Sequence, residues 1–193
     1  MQTPAARLSF QKQDREAWIR ISGMATLQVS GTFKALVQAL LEQGCRRFRI
    51  DLSECPGMDS TFVGILTRLA IDSRAPATPE PRAESIELVR ANPHIMHLLD
   101  TLGLVEFFAI VEQLEPPAPE HYTPFEPEAS ATTQSGLTRN LYEAHKTLSD
   151  LSPSNKEKFE SVLECVKEEL AEQEAETRPT PPSPSRDKPD AKS

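Results

Sequence analysis

The chain has 193 residues, 38% of them hydrophobic, and a formal net charge of −8. That length suits one domain of ordinary size with an extension. The acidic balance, with no basic run, excludes the positive surface on which a nucleic-acid binder depends.

The sequence contains no stretch of about 18 apolar residues, so no transmembrane helix is expected. The opening "MQTPAARLSFQKQDREAW" lacks the apolar centre of a signal peptide, and a cytoplasmic location is the expectation. In chain order, "RLSF" and "AWIRIS" read as two short strands joined by the polar turn "QKQDRE" and closed by Gly23. In "TFKALVQALLEQGC", Phe33, Leu36, Val37, Leu40 and Leu41 recur at helical spacing, and Gly44 marks the stop. "RFRIDLS" alternates Phe48, Ile50 and Leu52 with Arg49 and Asp51, a strand with one apolar face. After Asp59, Phe62, Ile65, Leu66 and Leu69 predict a second helix, with Asp59 as its N-cap. "RAPATPEPRA" is a proline-rich loop, and "ESIELVR" is a further strand. "NPHIMHLLDTLGL" has a cap at Asn92, proline at the first helical position and a stop at Gly103; "FFAIV" supplies the last strand.

Strands alternating with helices predict an α/β layer structure with parallel pairs, over residues 1–113. Residues 114–135 read as a proline-rich linker. Leu137, Leu141, Ala144, Leu148 and Leu151 then form one stripe, and Phe159, Val162, Leu163, Val166 and Leu170 a second, after Ser152-Pro153. Residues 136–175 are therefore expected to form an acidic helical hairpin that docks or self-associates and need not touch the first domain. Residues 176–193 read as a disordered tail. From residue 116 onward the chain carries −6 of the net charge.

Little in the sequence points to catalysis. The phosphate-loop pattern is missing, since Gly57 to Gly64 lacks its lysine, and no Ser–His–Asp set stands out. Cys45, Cys55 and Cys165 have neither disulfide nor zinc spacing and read as small buried residues. His94 and His97 lie one helical turn apart without partner ligands, so no metal or other cofactor is expected. The informative triplet is Asp59-Ser60-Thr61, where a strand pattern gives way to a helix pattern. It suits a plain helix cap. On spacing alone the cap is the leading reading, with a regulatory hydroxyl beside it, because unpaired N–H groups and the positive dipole end tolerate a phosphate there. A phosphoryl group adds about −1.5 to −2 charges, enough to repel an acidic partner. Phe62, next along, belongs either to the core or to an exposed contact patch.

The stretches "FRIDLSECPGMDSTFVGIL" and "IELVRANPHIMHLLDTLGLVEFFAIV" resemble the STAS family of anti-sigma factor antagonists. Asp51, Leu52 and Ser53 match the family's strand end; Met58, Asp59, Ser60 and Thr61 match its switch loop, and Gly64 its second glycine. Phe62 stands where the family has glycine, and Leu102 where it has threonine. The resemblance implies a mixed sheet with packed helices and a non-enzymatic, protein-binding role in bacterial transcription regulation. It implies Ser60 as the phosphoacceptor, with Thr61 the alternative, and Met58, Asp59, Thr61, Phe62 and Gly64 as switch-loop and partner-contact residues. The implied partners are an anti-sigma factor serine kinase and a phosphatase. The alternative is an unphosphorylated accessory subunit of a lipid or anion transporter, with Ser60 only a cap.

Overall fold

The computed structural model of the chain describes residues 6–74, 83–126 and 133–176. Strands β1 (Arg7–Gln13) and β2 (Glu16–Ser22) form an antiparallel hairpin. Its two-residue turn holds Asp14 at φ 53°, a left-handed conformation that Asp tolerates better than most residues. Helix α1 (Leu27–Glu42), β3 (Arg47–Asp51), α2 (Ser60–Arg74), β4 (Ser85–Val89), α3 (Pro93–Thr101) and β5 (Ala109–Val111) follow. A two-residue strand, β6 (Thr123–Pro124), precedes α4 (Gln134–Leu151) and α5 (Pro153–Glu176). The strands join in one mixed sheet ordered β5-β4-β3-β2-β1-β6, parallel from β2 to β5 and antiparallel beyond. This is the mixed sheet with packed helices that the resemblance implies, with the C-terminal helices added.

Alternation along the central strands sorts the two faces of the sheet. Ile19, Phe48, Ile50 and Leu88 point to the core and are fully buried. The opposite face carries a charged ladder. Trp18 pairs with Arg49, Arg20 with Asp51, and Arg49 with Glu87 across neighbouring strands. Arg20 Nε donates to Asp51 Oδ2 at 2.7 Å, and Arg49 Nε donates to Glu87 at 2.9 Å while a second nitrogen reaches Glu16. The Arg49 guanidinium also lies 5.3 Å from the centre of the Trp18 ring.

Asp51 is fully buried despite facing this charged side. The segment after β5 closes over it. Tyr122 donates its hydroxyl to Asp51 Oδ2 at 3.2 Å, and its ring lies 4.0 Å from the Arg20 guanidinium. Burial, helped by the Asp51 charge, raises the Tyr122 phenol and keeps it a donor. Arg20 also donates to the Pro117 carbonyl at 3.2 Å, and β6 pairs with β1. Residues 114–126, expected to be free linker, are therefore bound along the sheet. Their prolines fit because an edge strand needs no inward N–H from them. Residues 127–132, and the tail from residue 177, lie outside the described residues.

Of the two options left open for the hairpin, docking or self-association, the structure shows it docked on the first domain. Helix α4 packs against α1 and α2 as well as α5, so the extension is part of the first domain's body. Ala144, Leu148 and Phe159 join the same core cluster as the sheet. Lys34 on α1 donates to Asn140 at 2.9 Å and Glu143 at 2.7 Å, and Asn155 on α5 donates to the Leu102 carbonyl at 3.0 Å. The physical reason lies in α2. Every residue from Thr61 to Thr67 is buried, because the sheet covers one side of the helix and α4 the other. A helix apolar on both sides requires two covers.

Removing Asp51 leaves the buried Arg20 with only the longer contact to Glu54, at 3.7 Å, as a carboxylate partner. Asp51→Ala should cost about 3–5 kcal/mol, against about 1 kcal/mol for Tyr122→Phe, which removes one hydrogen bond. Urea unfolding of both variants checks the ranking; equal losses would show that the Tyr122 clasp, not the ion pair, holds this face.

Candidate functional site

The β3–α2 loop leaves the sheet at Asp51, whose Oδ1 accepts from the Ser53 amide at 3.1 Å. It then runs beside the β2–α1 loop. Gly23 N–H donates to the Glu54 carbonyl, Ala25 N–H to the Gly57 carbonyl, and Asp59 N–H to the Ala25 carbonyl, each within 3.0 Å. Asn92, the cap of α3, holds the outer side of the loop. Its Oδ1 accepts from the Ile95 amide at 3.0 Å while Nδ2 donates to the Cys55 carbonyl at 2.9 Å.

Asp59 ends this loop and starts α2. Oδ1 accepts from the Phe62 amide at 2.8 Å, the N-cap bond expected from the sequence. Oδ2 accepts from the Leu27 amide at 2.8 Å, at the first turn of α1. Thr26, the residue before α1, makes no capping bond of its own. One carboxylate therefore caps two helices. The sequence signals only the first of these bonds, since the second joins residues 32 apart.

Ser60 opens α2 and is half-buried. Its Oγ lies 2.9 Å from Nε2 of His145 on α4. The imidazole is buried, stacks on Phe159 with centroids 5.0 Å apart, and leaves Nδ1 with no hydrogen-bond partner. Burial pushes His145 below its ordinary value near 6.5, with the charge of Asp59 acting in the opposite direction. His145 is the residue at this site that the sequence did not reveal. It lies 85 residues from Ser60, inside a stripe of apolar helix positions, and no local pattern marks it.

The other expected site residues divide by burial. Met58 is buried and bridges to Ala25; Thr61 is buried beneath the first turn. Phe62 is fully buried against Phe33, ring centroids 5.0 Å apart, so its exposed-patch reading is corrected to a core position. Gly64 is in backbone contact with α4: a Cβ there would lie 2.6 Å from the Ala144 carbonyl oxygen. Thus Ser60 and Gly64 face the hairpin, while Phe62 faces inward. His94 and His97 are both exposed on α3, and among the described residues no group of His, Cys, Asp and Glu could hold a metal ion. Cys45 and Cys55 are buried, which raises both thiols; Cys165, expected to be buried, is exposed. Among the described residues, no helix is long and apolar enough to cross a membrane.

A mixed sheet, a tethered β3–α2 loop and an Asp-Ser-Thr helix start together define a STAS-type domain. The chain belongs to the STAS domain family: the family model described as "Mlab, STAS domain" matches residues 8–112. Two solved structures are similar to it. One is the anti-sigma factor antagonist SpoIIAA in its unphosphorylated form, 18% identical, covering 57% of this chain and 90% of that one, with a TM-score of 0.44. The other is a Thermotoga maritima protein assigned as an anti-sigma factor antagonist, 17% identical, covering 58% and 87%, with a TM-score of 0.43. No curated protein matches the chain.

Two predictions follow from this geometry. Asp59→Ala removes both caps and should cost about 2 kcal/mol at roughly 1 kcal/mol per cap; Asp59→Asn keeps one acceptor oxygen and should cost about half as much. Urea unfolding compares them, and equal losses would mean that charge, not the pair of acceptors, matters. The second prediction concerns pH. Burial makes His145 take up a proton less readily in the folded chain than in the unfolded one, where its ordinary value is near 6.5. Its contribution is complete above that pH and is lost as the pH falls toward its lower folded value. Between pH 7.5 and pH 5.5, about one unit either side of the ordinary histidine value, wild type should lose more stability than His145→Gln. Parallel losses would show that His145 does not titrate on unfolding.

Proposed function

We propose that this chain is a protein-interaction module of the anti-sigma factor antagonist type, switched by phosphorylation of Ser60, and acts in transcription regulation. The observation that carries the reading is the position of Ser60. Its hydroxyl stands at the first residue of α2, half-buried, at the end of a loop fixed by Asp59 and Asn92. Rigid loop geometry suits a hydroxyl that an enzyme must find repeatedly, and a helix N-terminus accepts the resulting negative charge. Thr61, the alternative acceptor, is buried, which favours Ser60. Phosphorylation then alters one surface. A partner that packs on α2 around Ser60 meets a new dianion and loses affinity. The cognate kinase and phosphatase complete the cycle, and the domain itself has no catalytic part in it.

A second reading has one observation in its favour. The Ser60 hydroxyl already has a partner in His145, as a purely structural residue would. On that reading the domain is a constitutive accessory subunit, such as one in a lipid or anion transporter complex, and Ser60 carries no phosphate.

Partner capture from native lysate with the full chain, followed by affinity measurement, separates the two. Ser60→Asp should weaken capture at least tenfold, about 1.4 kcal/mol, while Ser60→Ala should not. Mass spectrometry of the Ser60 peptide from the native host should show the phosphorylated form. Equal affinities for all three chains, with an unmodified peptide, would support the constitutive subunit instead.

A further inference from the structure

Helix α4 occupies the surface around Ser60 in the way a partner would. His145 meets the Ser60 hydroxyl at 2.9 Å, and the Ala144 backbone seats on Gly64, where a single Cβ would lie 2.6 Å from the Ala144 oxygen. Lys34 closes the far side of the contact through Asn140 and Glu143. We propose that the α4–α5 hairpin is a built-in occupant of the α1–α2 face, and that docking of the hairpin and phosphorylation of Ser60 exclude one another. The inference rests on Ser60 being the phosphoacceptor, and adds how that site is regulated.

Three features of the contact exclude a phosphate. The first is space. At 2.9 Å between Oγ and Nε2 there is room for a shared proton and none for a phosphorus with three oxygens. His145 has little freedom to yield, because Phe159 is stacked on its ring. The second is charge. Both oxygens of the neighbouring Asp59 are already committed to helix amides, and that carboxylate stays beside any phosphate. Residues 134–173 of the hairpin hold eight acidic and five basic side chains. The third is desolvation. A dianion under a docked helix loses water without gaining a cationic partner there, which is costly.

The covalent step is an ordinary phosphoryl transfer from a nucleoside triphosphate supplied by the kinase. The Ser60 Oγ–P bond forms as the bond from the terminal phosphorus to its bridging oxygen breaks. The nucleoside diphosphate departs, and the hydroxyl proton passes to the kinase's base. Because the hydroxyl is engaged by His145, transfer requires the hairpin to lift first; the phosphate then prevents its return. In the unmodified chain, an outside partner for this face competes with the hairpin. In the phosphorylated chain neither seats, and Ala144, Leu148 and Phe159 are uncovered from the core side.

The test uses the full chain with phosphoserine encoded at position 60, compared with the unmodified chain by hydrogen–deuterium exchange and mass spectrometry. Gly64→Ala, which blocks docking sterically, provides the open reference. Amides of α4 and α5 should exchange at least tenfold faster in the phosphorylated chain, approaching Gly64→Ala, while β2, β3 and β4 exchange as before. Three results overturn the proposal: hairpin exchange unchanged by the phosphate, greater protection of the hairpin, or equal acceleration of the sheet, which would mean global unfolding. If Gly64→Ala itself unfolds, the phosphorylated and unmodified chains still give the answer. Retention of the hairpin in the phosphorylated chain sinks this inference without touching the partner-capture result. A Ser60 peptide never modified in the native host sinks the functional reading, whatever the encoded phosphoserine does.

Discussion

The bidentate capping by Asp59 is the constraint on which the rest of the site depends. Helix N-termini leave amide protons without partners, and each needs an acceptor. Here one carboxylate serves α1 and α2 together, so the two helices start at fixed positions relative to each other. The surface between them inherits that precision. Ser60 is held one residue past the shared cap, and Gly64 one turn further along the same helix. A side chain with one acceptor could cap either helix, but it could not set their relative position. An aspartate at this point therefore has a structural reason to be there even before any regulatory chemistry is considered.

Two different physical devices cover the two sides of the sheet. The core side is closed by aliphatic and aromatic packing from α1 and α2, and by α4 beyond them. The other side relies on matched charges in register across β2, β3 and β4, with Tyr122 laid over the buried end. Charged ladders of this kind tolerate water at their margins but demand complete pairing where they are buried. That demand explains why residues 114–126 follow the sheet instead of leaving it. Tyr122 supplies a third hydrogen-bonding group to Asp51 that the strands themselves do not provide.

The central elements were legible because each carries its own local pattern. Phe48 and Ile50 alternate, Phe33 to Leu41 recur with helical period, and Asn92-Pro93 announces α3, so the strand and helix order could be read without tertiary knowledge. The Asp59 cap was legible for the same reason. What escaped was non-local. The bond from the Leu27 amide to Asp59 and the pairing of Ser60 with His145 join residues far apart in the chain. Phe62 illustrates the limit of the periodic reading. Its place one turn before Ile65 and Leu66 fits either a core or a surface face, and only the cover supplied by Phe33 and the sheet decides it. The two stripes on α4 and α5 correctly signalled helices needing a partner, but a stripe does not name the surface it will meet. Short β6 has no alternation to detect, since two residues contain no period.

The edges of the sheet have a consequence for how the protein behaves in concentrated solution. One margin is β5, three residues long; the other is β6, two residues long and containing Pro124. Unpaired strand edges act as templates on which a second sheet can continue. Here β6 covers β1 only at Ser9 and Phe10, and its proline lacks a donor, so Gln11–Gln13 of β1 stay at the margin. Strands β2, β3 and β4 lie inside, paired on both sides. Lifting of the hairpin, as proposed above, would uncover helix faces of α1 and α2 and no sheet edge. Such an opening would leave the sheet's margins as they are and add no new template for edge-to-edge growth.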